Sequence, residues 1–322
     1  MPRAIIILTA AIAISLAPAI TLAQTYPLKP VRIISPYPPG GGNDILARTI
    51  SPKLGELLGQ QVIVDNRPGA NTIIGTELTA KSPPDGYTII LVPSSHAINS
   101  SLYQKLPYDA VKDFPPITLV GSGPLILVVH PSLPIHSVRE LVAVAKAKPE
   151  ALTYGSAGNG SSGHLAGVLF GNITSTKLVH IPYKGTAPAV NDLLGGQISM
   201  TFGTSLAVLP HVKSGKLRAL ASCGPERTPA APELPTVAEA GVPGYAASLW
   251  YGLLAPAHTP REIVMRLNND VARVLALPEI KERLSDQGVD PYTSTPEEFA
   301  KLIATDLDKW AKVVKASGAH ID

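Results

Sequence analysis

Short apolar runs alternate with amphipathic stretches through most of the chain. Runs at 31–34, 62–64, 88–92, 125–129, 153–154, 178–181, 198–202, 217–221 and 249–255 read as buried strands. Between them, apolar residues recur at helical spacing. Over 43–58, Ile45, Leu46, Ile50, Leu54 and Leu57 gather on or near one face, and 138–147, 162–170, 187–194 and 206–212 follow the same logic. Strand–helix–strand alternation predicts α/β layers with mostly parallel sheets. After Pro260 the pattern changes. Segments 261–276, 278–286 and 297–316 are helical with no strand between, and Thr259-Pro260 and Ser294-x-Pro296-Glu297 are helix-start signals. Helices without strands of their own must cover a sheet made elsewhere, so they are expected on the first lobe, which becomes discontinuous. Turn-rich crossovers fall near 121–124 and 244–248. The expected organisation is lobe 1 from 24–123 and 247–322 and lobe 2 from 124–246, joined by two segments as a hinge.

The first residues read differently. Met1-Pro-Arg3 carries one positive charge, 4–20 is almost wholly apolar, and Thr21-Leu-Ala23 puts small residues where signal peptidase cuts. Residues 1–23 are therefore expected to be a secretory signal peptide removed after Ala23. A retained anchor fits less well, because Pro18 interrupts the run, and no cysteine near the cut supports lipid attachment. The 322 residues suffice for two domains with a real core, and 45% apolar against 16% charged content describes a folded chain. Cys223 is the single cysteine, so no internal disulfide forms. A net charge of +3 is too balanced to imply nucleic acid or an acidic membrane surface.

Two glycine-rich segments precede predicted helices. One is Tyr37-Pro-Pro-Gly-Gly-Gly-Asn-Asp44; the other is Tyr154-Gly-Ser-Ala-Gly-Asn-Gly-Ser-Ser-Gly-His164. A glycine turn that opens a helix leaves N–H groups free at the positive end of the helix dipole. Two of them, far apart, suggest half-sites closing on one small anion; the bland alternative is a pair of connectors. Neither is a Walker or dinucleotide motif. Asp44 would repel an anion, so it is expected to cap its own helix or hold a water, with Arg48 one turn on. In the second loop Ser156, Ser161 and Ser162 offer hydroxyl donors, and His164 follows.

Other strand ends add candidates. Ser94, Ser95 and His96 hint at a Ser/His hydrolase, yet there is no G-x-S-x-G elbow and no orienting acid. Tyr183 is a potential pocket wall, and Lys184 is either an anion attractor or a surface lysine. Phe202, Gly203 and Thr204 lead from a strand to a small-residue turn that closes the same cleft. The eight histidines lack H-x-x-x-H spacing, so no metal is expected.

Several stretches in order carry a resemblance. They include Pro36-Tyr-Pro-Pro-Gly-Gly-Gly-Asn-Asp44, Val64-Asp-Asn-Arg-Pro-Gly69, Asp85-Gly-Tyr87, Leu106-Pro-Tyr-Asp109, His180-Ile-Pro-Tyr-Lys-Gly185, Glu239-Ala-Gly-Val-Pro-Gly-Tyr245 and Trp250-Tyr-Gly252. The chain resembles the Bug-type periplasmic solute receptors, the binding subunits associated with tripartite tricarboxylate transporters. Two departures are Tyr37, where Phe is common, and His258, where Gly is usual. The resemblance implies an α/β, two-lobed periplasmic-binding-protein (Venus flytrap) fold with a ligand cleft between the lobes. It also implies a carboxylated solute gripped by backbone amides, hydroxyls and bridging waters. The expected binding set is Tyr37, Pro39, Gly41, Gly42 and Asp44, then Ser94, Ser156, Gly160, Ser161 and His164, then Tyr183, Phe202, Gly203 and Thr204. No catalytic residue, cofactor or metal is expected. The expected partners are the solute and either membrane transporter subunits or a sensor protein, with the receptor a periplasmic monomer.

Overall fold

The computed structural model describes residues 26–317. The expected leader lies outside them. The chain opens with β1 (Val31–Ser35), α1 (Gly42–Leu58), β2 (Val62–Asn66), α2 (Ile73–Ala80), β3 (Thr88–Pro93) and α3 (Ser95–Leu102). A long strand, β4 (Pro116–Val129), follows. Then come α4 (Val138–Ala147), β5 (Thr153–Ser156), α5 (Ser162–Thr174), β6 (Val179–Pro182), α6 (Thr186–Leu194), β7 (Met200–Thr204), α7 (Ser205–Lys213) and β8 (Arg218–Ser222). The chain returns through β9 (Ser248–Leu254) and ends in α8 (Arg261–Ala276), α9 (Pro278–Asp286) and α10 (Pro296–Ser317).

Strand order is β2-β1-β3-β9-β4-β7-β5-β6, with β8 also on β4. The sheet falls into two halves that share β4. Its residues Pro116 to Pro124 pair with β9, while Leu125 to Val129 pair with β7 and Ile126 to Val129 with β8. At about 3.3 Å per residue a strand of this length spans roughly 45 Å, enough to thread both halves. Its second part is apolar on both faces because both are covered. Leu125, Leu127 and Val129 join the core of Phe170, Phe202 and Tyr245, whereas Ile126 and Val128 join Leu193, Val208 and Leu209. β1 and β3 divide likewise, Ile33, Ile89 and Leu91 to one side, Ile34, Ile90 and Val92 to the other.

The expectation of mostly parallel sheets is corrected. β1 pairs in parallel with β2 and β3, and β5 with β6 and β7, but every pairing of β4 and β9 is antiparallel. Strands that run between the halves carry no crossover helix, so nothing forces them parallel. The C-terminal helices settle on the first half: α8 against α1 and β4, α10 against α3 and β4. α10 opens with a capping box, since Thr295 N–H donates to Glu298 Oε2 at 2.9 Å and Glu298 N–H to Thr295 Oγ1 at 3.1 Å. The result is a two-lobed α/β binding-protein fold whose seam lies where β4 and β9 cross.

Candidate functional site

Four helix N-termini converge on one cavity at the seam. α1 arrives from the first half, and α5, α6 and α7 from the second. Gly41 and Gly42, Ser161 to Gly163, Thr186, and Thr204 all line it. Three of these ends are uncapped: Gly41, Gly185 and Thr204, the N-caps of α1, α6 and α7, make no side-chain capping bond. α5 differs, because Ser161 Oγ accepts from His164 N–H at 3.3 Å. Uncapped first-turn N–H groups are donors without protein acceptors, and each aligned helix adds about 0.3–1 kcal/mol toward an anion. Among the described residues no Asp, Glu, Lys, Arg or His side chain lines the cavity. Its volume is about 40 Å³.

The approach depends on Gly42. A Cβ there would stand 2.7 Å from both Thr204 Oγ1 and the Tyr251 hydroxyl, so any other residue would wedge the halves apart. Thr204 Oγ1 lies beside the Tyr251 hydroxyl, and Asn43 Oδ1 is buried without a hydrogen-bond partner among the described residues. Tyr37 roofs the pocket, its hydroxyl 3.3 Å from Ser95 Oγ, and burial pushes its phenol up to about 12. Burial raises the Tyr251 phenol further. Both rings therefore stay neutral at any physiological pH and act as hydrogen-bonding walls.

Behind the cavity each loop is braced. Asp44 stands at the third position of α1, not in the pocket. Its carboxylate accepts from Arg48 Nε at 2.9 Å, Gly40 N–H at 3.0 Å and Asn66 Nδ2 at 2.8 Å. Burial works against its ionisation, but these donors outweigh it and hold the carboxyl below its usual range. In the second loop Ser156 Oγ is 2.6 Å from His180 Nε2, close to the Gly158 carbonyl, and accepts from Gly158 N–H. The His180 ring stacks on His164 at 4.1 Å, and His164 Nδ1 accepts from Gly160 N–H at 3.0 Å. Burial, and then His164, pushes His180 down to about 3; burial also lowers His164. The pair is a neutral brace for the loop.

Of the residues expected from sequence, Tyr37, Gly41, Gly42, Ser156, Ser161, Phe202 and Thr204 line the cavity. The others stand around it. Pro39 is exposed at the loop tip. Ser94 meets Ser162 across the seam, Oγ to Oγ at 3.3 Å. Gly160, at φ +79°, lets α3 pack close, since a Cβ there would strike Leu102. Gly203 is turned toward Val208 of α7. Tyr183 donates to Asp192 at 2.7 Å, with burial and that carboxylate raising its phenol to about 12, and Lys184 is exposed. His96 points into the core, Nε2 at 2.9 Å from the Ala110 carbonyl and packed on Tyr108 and Phe114. Reasoning from sequence passed over Asn43, Thr186 and Tyr251. Asn43 lies inside the first glycine-rich segment, and Thr186 directly follows Gly185 at the end of the His180–Gly185 stretch. Among the described residues no group of three or more His, Cys, Asp or Glu is placed to hold a metal.

The sequence profile described as "Tripartite tricarboxylate transporter family receptor" matches residues 46–319. The chain belongs to that family. It is 40% identical to Protein BugT of Bordetella pertussis, over 93% of this chain and 92% of BugT. Among solved structures, it is similar to R. palustris Rpa4515 with adipate, at 36% identity and TM-score 0.89, covering 92% of this chain and all of that one. It is also similar to MatC from Rhodopseudomonas palustris with bound malate, at 30% identity and TM-score 0.85, over 90% and 100% of the two chains. The receptors of this family are periplasmic binding proteins, and among the described residues no helix is long and apolar enough to cross a membrane.

Proposed function

We propose that this receptor captures a small carboxylated solute between its two sheet halves and hands it to membrane transporter subunits. The observation that carries the reading is the meeting of three uncapped helix N-termini, from both halves, on one cavity with no charged side chain in its lining. Such a cavity is rich in preorganised donors, and charge-assisted hydrogen bonds to a carboxylate contribute about 1.5–3 kcal/mol each. The binding set is the lining already described, together with Ser94, Gly160, His164 and Asp44, which hold the seam and the loops in place. Adipate and malate in two related receptors support the ligand class. In this reading residues 1–23 are a leader removed on export. Residues 24–123 and 247–322 move as one lobe and 124–246 as the other, and the receptor works as a monomer.

The receptor binds without turning its ligand over. Ser156 Oγ meets the His180 ring at the cavity, but burial pushes that imidazole down to about 3, too weak a base to take a proton from serine at neutral pH, and no carboxylate among the described residues bonds to it. Native mass spectrometry of purified protein, followed by thermal-shift screening of di- and tricarboxylates, tests the reading. Stabilisation by acids is expected; stabilisation by a sugar alone would contradict it. A pull-down with and without the acid separates a transporter partner from a sensor.

A further inference from the structure

We propose that the connection between α9 and α10 is a latch, which crosses the seam to grip α7 and lets go when the halves part; the inference rests on the two-lobe reading above. The connection is held to the first half. α9 packs on α8 and α1, Ser294 N–H donates to Thr118 Oγ1 at 3.1 Å, and Leu119 N–H donates to Ser294 Oγ at 3.1 Å. It is also tied to β4 at the seam, where Ser122 N–H donates to the Asp290 carbonyl at 3.1 Å and Asp290 N–H to the Ser122 carbonyl at 2.8 Å. Its other end reaches the second half. Ser205 Oγ donates to the Gly288 carbonyl at 2.9 Å in the interior, and Lys213 Nζ donates to the Asp286 carbonyl at 3.0 Å at the surface.

The approach is close. A Cβ on Gly288 would stand 2.8 Å from Ser205 Cβ and 3.2 Å from Leu209 Cδ1. Ser205, Leu209 and Lys213 are spaced four apart, so they form one stripe along α7. That stripe faces the first half's chain, while Val208 packs with Ile126, Val128 and Leu193 of its own half. Ser205 is the first residue of α7, directly after Thr204 in the cavity lining. Gripping it sets where the free N–H groups of α7 stand relative to those of α1. Bending near Gly121 to Pro124 carries α7 away with the second half, while Thr118 and Leu119 keep the connection with the first. The Ser205 and Lys213 bonds then break, and the Gly288 carbonyl turns to water. A bond made in one state only favours that state by its own net worth, about fivefold for a buried neutral pair.

Ser205→Ala removes the interior bond without altering the lining. Stopped-flow binding of succinate, malate, adipate and citrate to the purified receptor should show dissociation about fivefold faster and association unchanged, because the latch engages after the acid has entered. Dissociation that stays at the wild-type rate would overturn the inference, even if the variant unfolds more easily. If Ser205→Ala does not fold, Lys213→Met, at the exposed end of the stripe, carries the same test with about a twofold effect expected. Spin labels at Glu56→Cys and Lys146→Cys, one exposed position on each half, give a measurement that needs no ligand, since Cys223 is buried. Ser205→Ala should deplete the shorter inter-label distance about fivefold. If none of the four acids binds the wild-type receptor, the carboxylate reading falls and these distances decide the latch: identical distributions overturn it as well.

Discussion

Asp44 is a buried carboxylate one turn into a helix whose N-terminus faces a proposed anion site. Its three donors explain why it neither repels the anion nor needs to leave. Asp44→Asn puts an amide N–H₂ or a weaker acceptor against Arg48, Gly40 and Asn66, and should cost about 1–3 kcal/mol in denaturant unfolding. Because its folded pKa is depressed, the stability it contributes is complete above the unfolded value near 4 and fades as pH falls further. Histidine acts in a different window. Burial pushes His96 down to about 4, so the unfolded chain binds protons first and stability drops as pH falls from 6.5 toward 4. His96 should account for about 3 kcal/mol of that drop. His96→Phe is expected to reduce the slope between pH 6.5 and 4 in unfolding titrations, leaving the share that His180 and His164 contribute; an unchanged slope would mean that His96 is accessible to protons in the folded state.

Elements show where the sequence was legible. The glycine loops were readable because donors that open a helix are written in glycine, and α1 begins where they predicted. α2 and α3 were not. Their Gly, Thr, Ser and Asn residues favour turns in isolation, and they become helices by packing Thr76, Thr79, His96 and Ile98 inside. The first half of β4 was missed for a related reason. Gly121, Ser122 and Gly123 read as a turn, yet they stay extended while the backbone of Gly288 and Asp290 passes over them, where a Cβ would collide. Seven of the cavity's seventeen lining residues were legible, since Tyr251 and Thr186 acquire meaning from a partner half that sequence does not place. The α3–α5 contact is itself testable. Leu102 packs on Leu165 and on the bare backbone at Gly160. Gly160→Ala adds a Cβ at positive φ and against Leu102, so it should hold the halves apart and weaken acid binding about tenfold or more, with little change in helix content by circular dichroism.

Across the whole molecule, β4 and β9 are the continuous connections, and the bridge from Ser122 to Asp290 lies beside them. Bending at these strands would separate the helix ends. X-ray scattering should show a smaller radius of gyration with bound acid than without it, and Gly160→Ala should keep the larger value; identical curves would rule out closure. The central claim, that helix N-termini from opposite halves hold the acid without a basic side chain, is tested most directly by a crystal structure of the complex. The account predicts a carboxylate within hydrogen-bond distance of N–H groups in the first turn of α1 and in the first turn of α6 or α7. A solute bound in one half alone, or held by a lysine or arginine side chain, would contradict it.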